Sequence, residues 1–259
     1  MDEPINKFRI NSSLCPYVFK FDVVGSTNLL ARKFLNCERP GFIILANTQT
    51  AGLGQYGRRW ESPRNGLWFT SVFQPTISHE YLGIFPILTS LAVENALRSL
   101  GLDLFLKWPN DILINKTFKK IGGILVESSL RQSTINHILL GIGINANNRI
   151  DQFSSALRDG ISSILEELKR EIDLIELLID IMYKIEFYLE LLQVKGVDPI
   201  LNHWRKSNNL LGKQVSAHIA DQEIIGEAFD ITKHGELVLK TSNSEKVKIS
   251  TGAISIISF

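Results

Sequence analysis

The sequence predicts a mixed α and β protein, of the α/β or α+β class, that ends in a small β-rich unit. Three observations carry this. Apolar strand-like runs, such as residues 42–46 and 67–73, are bordered by glycine or polar residues. Amphipathic helical stretches lie between such runs. After about Trp204, short β-rich runs follow one another with turn residues between them, the pattern of a small barrel or folded sheet.

At 259 residues the chain is long enough for one large domain or for a large and a small one. The division is expected at 1–205 and 206–259. A formal net charge of +1 gives no global attraction for nucleic acid or an anionic membrane. Cys15 and Cys37 show neither paired nor metal-ligand spacing and the five histidines are scattered, which argues against zinc and fits a reducing, cytoplasmic location. Met1-Asp2-Glu3-Pro4 lacks the basic and apolar segments of a secretory signal. The most apolar windows, 82–97 and 172–194, are interrupted by Pro86 and Glu94 and by Glu176, Asp180, Lys184, Glu186 and Glu190, so neither is expected to span a bilayer.

Residues 18–24 read as a strand, and Gly25-Ser26-Thr27-Asn28 then opens a helix over 29–35. Ser26 or Thr27 caps it, because a hydroxyl can satisfy an amide left free in the first turn. A helix start at the carboxyl end of a strand also presents amides, hydroxyls and the Asn28 side chain to a small polar ligand.

The stretch 48–63 joins two strands and is far longer than the about 2 to 6 residues usual for such a connection, so it reads as a functional loop. Gly52, Gly54 and Gly57 let N–H groups turn toward a common anion, and Arg58 and Arg59 add permanent charge. The letters also match G-x-G-x-x-G. Trp60, Pro63 and Asn65-Gly66 forbid the helix that a dinucleotide site requires, and that reading is rejected. A glycine-rich surface turn with solvated arginines is equally compatible with this stretch alone.

Residues 86–100 form an amphipathic helix closed by Gly101. Two short strands flank the proline-fixed turn in Lys107-Trp108-Pro109-Asn110-Asp111, with a hairpin tip at 115–118, before Lys120-Ile121-Gly122-Gly123-Ile124-Leu125-Val126-Glu127 and a further strand that ends in Gly143-Ile144-Asn145. Arg58, Arg59 and Arg64 outnumber Glu61, and Lys107, Lys116, Lys119 and Lys120 outnumber Asp111. An anionic ligand is therefore expected. Ser163 with Glu166 starts a short helix, and Asp173 with Glu176 a longer one. Its stripe of Ile172, Ile175, Ile179, Met182, Ile185 and Leu189 is read as core. The final runs, 214–219, 223–232, 237–241, 246–250 and 254–258, are separated by turns that include Ala220-Asp221-Gln222 and Lys233-His234-Gly235. So small a unit is marginal alone and is expected to dock on the larger part.

Taken together, Gly25-Ser26-Thr27-Asn28, the loop from Gln49 to Pro63, Lys107-Trp108-Pro109-Asn110-Asp111, the run Lys120 to Glu127 and Gly143-Ile144-Asn145 resemble, in order and rough spacing, the motifs of biotin protein ligases. The resemblance runs from about residue 18 to the C-terminus. It implies an α+β catalytic domain with a central mixed sheet, of the class II synthetase and biotin ligase kind, and a small SH3-like C-terminal β-barrel. It also implies two reactions: biotin and ATP, with Mg²⁺, give biotinyl-5′-AMP, and the biotinyl group passes to a lysine of a biotin carboxyl carrier protein. Ser26, Thr27, Asn28 and Gln49 match positions that hold the biotin head group. Gly52, Leu53, Gly54, Gln55, Arg58 and Trp60 belong to the loop that orders over biotin and adenylate. Lys120 matches the lysine beside the carboxylate and α-phosphate, and Gly123 and Asn145 match residues lining the same pocket. Asp111 matches the acidic residue that helps place the nucleotide or the incoming lysine. Lys120, Asp111 and Arg58 are the expected catalytic residues; no protein cage for a metal is expected, Mg²⁺ arriving with the nucleotide.

Two departures modify this expectation. Relatives commonly carry basic residues where this chain has Leu53 and Gln55, which predicts weaker retention of the adenylate. Bifunctional relatives carry an N-terminal winged helix-turn-helix, whereas 24 residues precede Gly25 here, so no nucleic-acid partner is expected. A homodimer through the sheet is a further expectation. A lipoate or octanoate ligase would need an Arg-Arg-x-x-Gly-Gly-Gly signature that the chain lacks. A non-catalytic biotin-binding regulator is disfavoured by the joint presence of Lys120, Asp111 and Asn145.

Overall fold

Alternation along one strand sets the architecture. In β3 (Phe42–Leu53) the side chains of Phe42, Ile44 and Ala46 join one apolar cluster and those of Ile43 and Leu45 another, because successive residues of a strand face opposite sides. A sheet that is apolar on both faces must be covered on both. α1 (Thr27–Phe34) covers one through Leu30, Ala31 and Phe34. α2 (Phe85–Ser99), α5 (Leu174–Lys195) and α6 (Asp198–Ser207) cover the other. The chain is represented by a computed structural model that describes residues 3–207, 210–219, 222–250 and 252–258.

The remaining strands of this sheet are β1 (Asn6–Arg9), β2 (Tyr17–Val24), β4 (Arg59–Ser62), β5 (Leu67–Phe73), β6 (Leu104–Lys107), β7 (Asp111–Ile114), β8 (Lys120–Arg131) and β9 (Thr134–Ile144). Their order is β1-β2-β3-β5-β9-β8-β7-β6, with β4 paired to the distal end of β3. β2 and β3 run parallel, joined across α1, and the other described pairings of the sheet are antiparallel. The expected mixed sheet is therefore present. Two short helices, α3 (Ser155–Arg158) and α4 (Ile164–Leu168), follow β9, and the Ser163 hydroxyl caps α4 by accepting from the Glu166 N–H at 3.2 Å.

Three expectations need correction. The long loop is mostly a hairpin: β3 continues to Leu53 and β4 returns along it, with Gly52 opposite Trp60 and Leu53 opposite Arg59. A Cβ on Gly52 would lie 2.5 Å from the Trp60 carbonyl oxygen, so glycine is what admits this pairing. No α-helix opens there; a single 3₁₀ turn, Gln55–Gly57, makes the tip. The α5 stripe is also broader than a single helical row. Leu178, Ile181 and Tyr188 are buried beside Met182, Ile185 and Leu189, while Ile175 and Ile179 are half-buried and Ile172 precedes the helix. Both α2 and α6 pack on it, which widens the covered face. Finally, residues 198–207 form α6, a helix ahead of the β-rich runs, and the expected division at 205/206 falls in its last turn.

The five C-terminal strands appear where expected: β10 (Gln214–Ile219), β11 (Gln222–Ile231), β12 (Leu237–Lys240), β13 (Lys246–Ile249) and β14 (Ala253–Ser258). They form an antiparallel sheet in the order β13-β12-β11-β10-β14. Ala220 and Asp221 of the expected turn lie outside the described residues. This unit is docked on the larger one. The Trp108 indole N–H donates to the Gly235 carbonyl at 2.9 Å, and Arg205 Nε is 2.8 Å from Asp230 Oδ1. Backbones also meet closely, since a Cβ on Gly235 would lie 2.1 Å from the Gly83 carbonyl oxygen.

Candidate active site

The floor of the site is a patch of sheet almost without side chains. Thr70 on β5 pairs with Gly141 on β9, and Gly143 on β9 lies between Trp68 on β5 and Gly123 on β8, so these residues share the face that carries α1. The glycines leave an open cleft over this patch. Neighbouring side chains use part of the space where Cβ atoms would stand: a Cβ on Gly141 would be 2.3 Å from Asn28 Oδ1, and one on Gly143 would be 2.7 Å from Trp60 Nε1.

One end of the cleft is polar and uncharged. Ser26 caps α1, its hydroxyl 3.5 Å from the Leu29 N–H, which turns Thr27 and Asn28 inward. Gln49 Oε1 accepts from the Thr27 N–H at 2.7 Å and from the Thr27 hydroxyl at 3.1 Å, while Gln49 Nε2 donates to Ser62 Oγ at 2.7 Å. The Thr70 hydroxyl donates to Asn28 Oδ1 at 2.7 Å and lies 2.9 Å from Thr27 Oγ1. Donors and acceptors are thus held in fixed directions around a small volume, the arrangement that recognises a neutral polar group.

The other end is electropositive. Lys107, Lys120, Arg58 and Arg59 line it against one carboxylate, Asp111. Lys120 Nζ is 2.5 Å from Asp111 Oδ1 and 4.9 Å from the centre of the Trp60 ring. Asp111 reaches it because β7 pairs with β8, Asp111 opposite Gly123 and Lys107 opposite Asp111 across β6 and β7. Burial lowers the Lys107 pKa; Lys120 and Arg58 push the same way, and Asp111 opposes them. The Trp60 indole N–H is buried with no partner among the described residues. An anion of high charge density fits this end, and an apolar linker fits the glycine-floored middle.

Eleven of the residues expected at the site line the cleft: Thr27, Asn28 and Gln49; Leu53, Gly54, Gln55, Arg58 and Trp60; and Asp111, Lys120 and Gly123. Ser26, Gly52 and Asn145 stand behind it. Asn145 Nδ2 donates to the Ser162 carbonyl at 3.0 Å, which secures the chain beside Lys120, while its buried Oδ1 has no hydrogen-bond partner among the described residues. The expected ring of free loop amides is not formed. Gly54 N–H donates to the Arg58 carbonyl at 2.8 Å and Arg58 N–H to the Gln55 carbonyl at 3.2 Å, within the hairpin tip. The lining also takes in residues beyond the expected site set, among them four small or apolar ones that floor or border it. Gly141 and Gly143 had a visible signal, their spacing of two on a strand; Gly252 and Ile254 come from the C-terminal sheet and had none.

Comparison with known proteins gives a consistent picture. Residues 20–145 match the biotin/lipoate A/B protein ligase family and residues 210–256 the biotin protein ligase C terminal domain. The bifunctional ligase/repressor BirA of Bacillus subtilis is 30% identical over 228 residues, covering 87% of this chain and 70% of that protein. The biotin–[acetyl-CoA-carboxylase] ligase of Paracoccus denitrificans is 30% identical over 224 residues, covering 83% and 90%. Among solved structures, biotin protein ligase from Aquifex aeolicus in complex with biotin and ATP superposes with a TM-score of 0.80 at 24% identity, over 92% of this chain and 98% of that one. The fold, including the SH3-like C-terminal sheet, is shared. A cleft polar at one end and cationic at the other, on that fold and with relatives of that kind over nearly the whole chain, means that the chain belongs to the biotin protein ligase family.

Proposed function

We propose that this chain joins biotin to ATP in the cleft and passes the biotinyl group to a lysine of a biotin carboxyl carrier protein. The observation that carries the reading is the placement of Thr27, Asn28 and Gln49 at one end of one cleft and of Lys120 with Asp111 at the other. In the first step a biotin carboxylate oxygen bonds to the α-phosphorus, the bond from that phosphorus to the bridging oxygen breaks, and pyrophosphate leaves. In the second, the carrier lysine amine bonds to the acyl carbon, AMP leaves, and the amine loses a proton.

The residues contribute as follows. Thr27, Asn28 and Gln49 hold the ureido head by hydrogen bonds, leaving the carboxylate directed toward Lys120. Two anions must approach each other, and Lys120, Lys107 and Arg58 offset their repulsion from fixed positions. Holding both reactants in line contributes about 7 kcal/mol or more in favourable cases. Leu53, Gly54, Gln55 and Trp60 cover the product, a mixed anhydride that water would destroy. Asp111, the carboxylate of the lining, fits Mg²⁺ arriving with the nucleotide: together with the phosphates it would hold the ion, which would supply neutralisation of phosphate charge. Asp111 also accepts hydrogen bonds from the incoming amine.

We assign activation to residues 1–205 and a closing role at the cleft to residues 206–259, through Gly252 and Ile254. The activity is placed in the cytoplasm, where ATP and carboxylase carriers meet, without a nucleic-acid partner and with a homodimer formed through the sheet. No described helix is long and apolar enough to cross a membrane. Pyrophosphate release tests the core reading: biotin should support it, lipoate should not, and mass spectrometry should show a biotin-sized increase on one carrier lysine. Release that is indifferent to biotin overturns the proposal.

A further inference from the structure

The orientation of the Asn28 carboxamide has a cause outside the cleft. Its Nδ2 donates to Glu127 Oε2 at 3.0 Å, and its Oδ1 accepts from the Thr70 hydroxyl at 2.7 Å. A hydroxyl can donate or accept, so Thr70 would tolerate the carboxamide turned either way. A carboxylate only accepts. Glu127 therefore selects one orientation, with the NH₂ toward β8 and the carbonyl toward β5. Glu127 is on β8 and does not itself line the cleft.

The carboxylate is held in turn. Arg32, one turn after Asn28 on α1, forms an ion pair with Glu127. Asn28 is 4% exposed, whereas the Arg32 side chain is 52% exposed and that of Glu127 24%, so the chain of contacts runs from solvent to the cleft. Gly141 completes the setting, since a Cβ there would press on Asn28 Oδ1 at 2.3 Å.

We propose that Glu127, steadied by Arg32, is a positioning residue for the biotin head group: it fixes which face of the Asn28 carboxamide donates and which accepts. The inference rests on the reading above that Asn28 meets biotin. One hydrogen on Nδ2 and one lone pair on Oδ1 remain for the ligand, and they are useful only if the amide cannot turn over.

Steady-state pyrophosphate release by the full chain tests it. Glu127→Ala should raise the biotin KM about 10-fold, the size of one lost charge-assisted hydrogen bond, with kcat and the ATP KM within about 2-fold. Glu127→Gln keeps an acceptor for Asn28 and should recover most of the biotin KM, and it serves as the readable variant if the alanine form does not fold. In an Asn28→Ala background, Glu127→Ala should add less than about 2-fold. An equal KM rise in that background, a fall in kcat alone, or no change in KM overturns the inference. Failure of the functional reading looks different, for then the unaltered chain shows no biotin-dependent release.

Discussion

Lys120 Nζ and Asp111 Oδ1 are 2.5 Å apart at the cationic end of the cleft, on two strands that pair directly. Each therefore sets the other's position, and their roles should separate by half-reaction. Lys120→Gln removes a preorganised charge from the attack on phosphorus and should lower kcat for biotin-dependent pyrophosphate release about 10²- to 10³-fold. Asp111→Asn, which loses the charge that would help hold Mg²⁺ and receive the incoming amine, should slow both pyrophosphate release and transfer to the carrier, whereas Lys120→Gln should leave transfer from preformed biotinyl-5′-AMP within about 2-fold. Measuring both half-reactions in both variants checks this; equal losses in both steps for both variants contradict it.

Gln55 lines the cleft at a position where the family resemblance implies a basic residue, and its amide cannot supply the full charge or forked donor geometry of arginine. Gln55→Arg should therefore slow release of biotinyl-5′-AMP, by about 10-fold if one charge-assisted hydrogen bond is gained. The check is the dissociation rate of the preformed adenylate in the two chains. No slowing in the variant removes the argument.

Much of this was legible because the signals were local. Ser26 and Asp173 announce their helices through hydroxyl or carboxylate caps, and the unbroken apolar run 42–46 of β3 announces a strand buried on both faces. The hairpin of β3 and β4 was not legible, since it depends on Gly52 admitting the Trp60 carbonyl across the turn. α6 buries Ile200, Leu201 and Trp204, a helical spacing that the sequence did show and that the abrupt change in composition after it obscured. Asn145 illustrates the opposite limit. Its place in the chain suggests a lining residue, yet it stands behind the cleft, with its NH₂ given to the Ser162 carbonyl and its Oδ1 buried without a partner among the described residues. Gly252 and Ile254 reach the cleft only because a separate sheet docks beside it.

Lys107 carries a pH dependence with a definite sign. Burial, reinforced by Lys120 and Arg58, lowers its pKa below the ordinary 10.5, so its positive charge is lost at a lower pH than for a free lysine. If the ammonium faces the phosphates, the ATP KM should climb on the alkaline side before an ordinary lysine would titrate. Lys107→Arg keeps its charge throughout and should move that climb to higher pH. Pyrophosphate release without carrier is the proper measurement, because it excludes titration of the acceptor lysine. Superimposable ATP KM profiles for the two chains would count against a role for Lys107.

Tyr56 ties the hairpin tip to the C-terminal sheet. Its hydroxyl accepts from the Gly252 N–H at 2.7 Å, and both residues line the cleft. The tip adopts φ 56° at Tyr56, a left-handed conformation that costs a non-glycine residue about 1 to 2 kcal/mol, so contacts made by its side chain help hold that turn. Tyr56→Phe removes the acceptor and leaves the ring. The hairpin and the docked sheet should then part more readily, and the adenylate should escape about 3- to 10-fold faster, the range for one neutral hydrogen bond, while the biotin KM stays within about 2-fold. Tyr56→Gly relieves the backbone but discards the tie, and should release the adenylate at least as fast as the phenylalanine variant. Equal retention by the unaltered chain and Tyr56→Phe would mean that the C-terminal sheet closes the cleft without this bond.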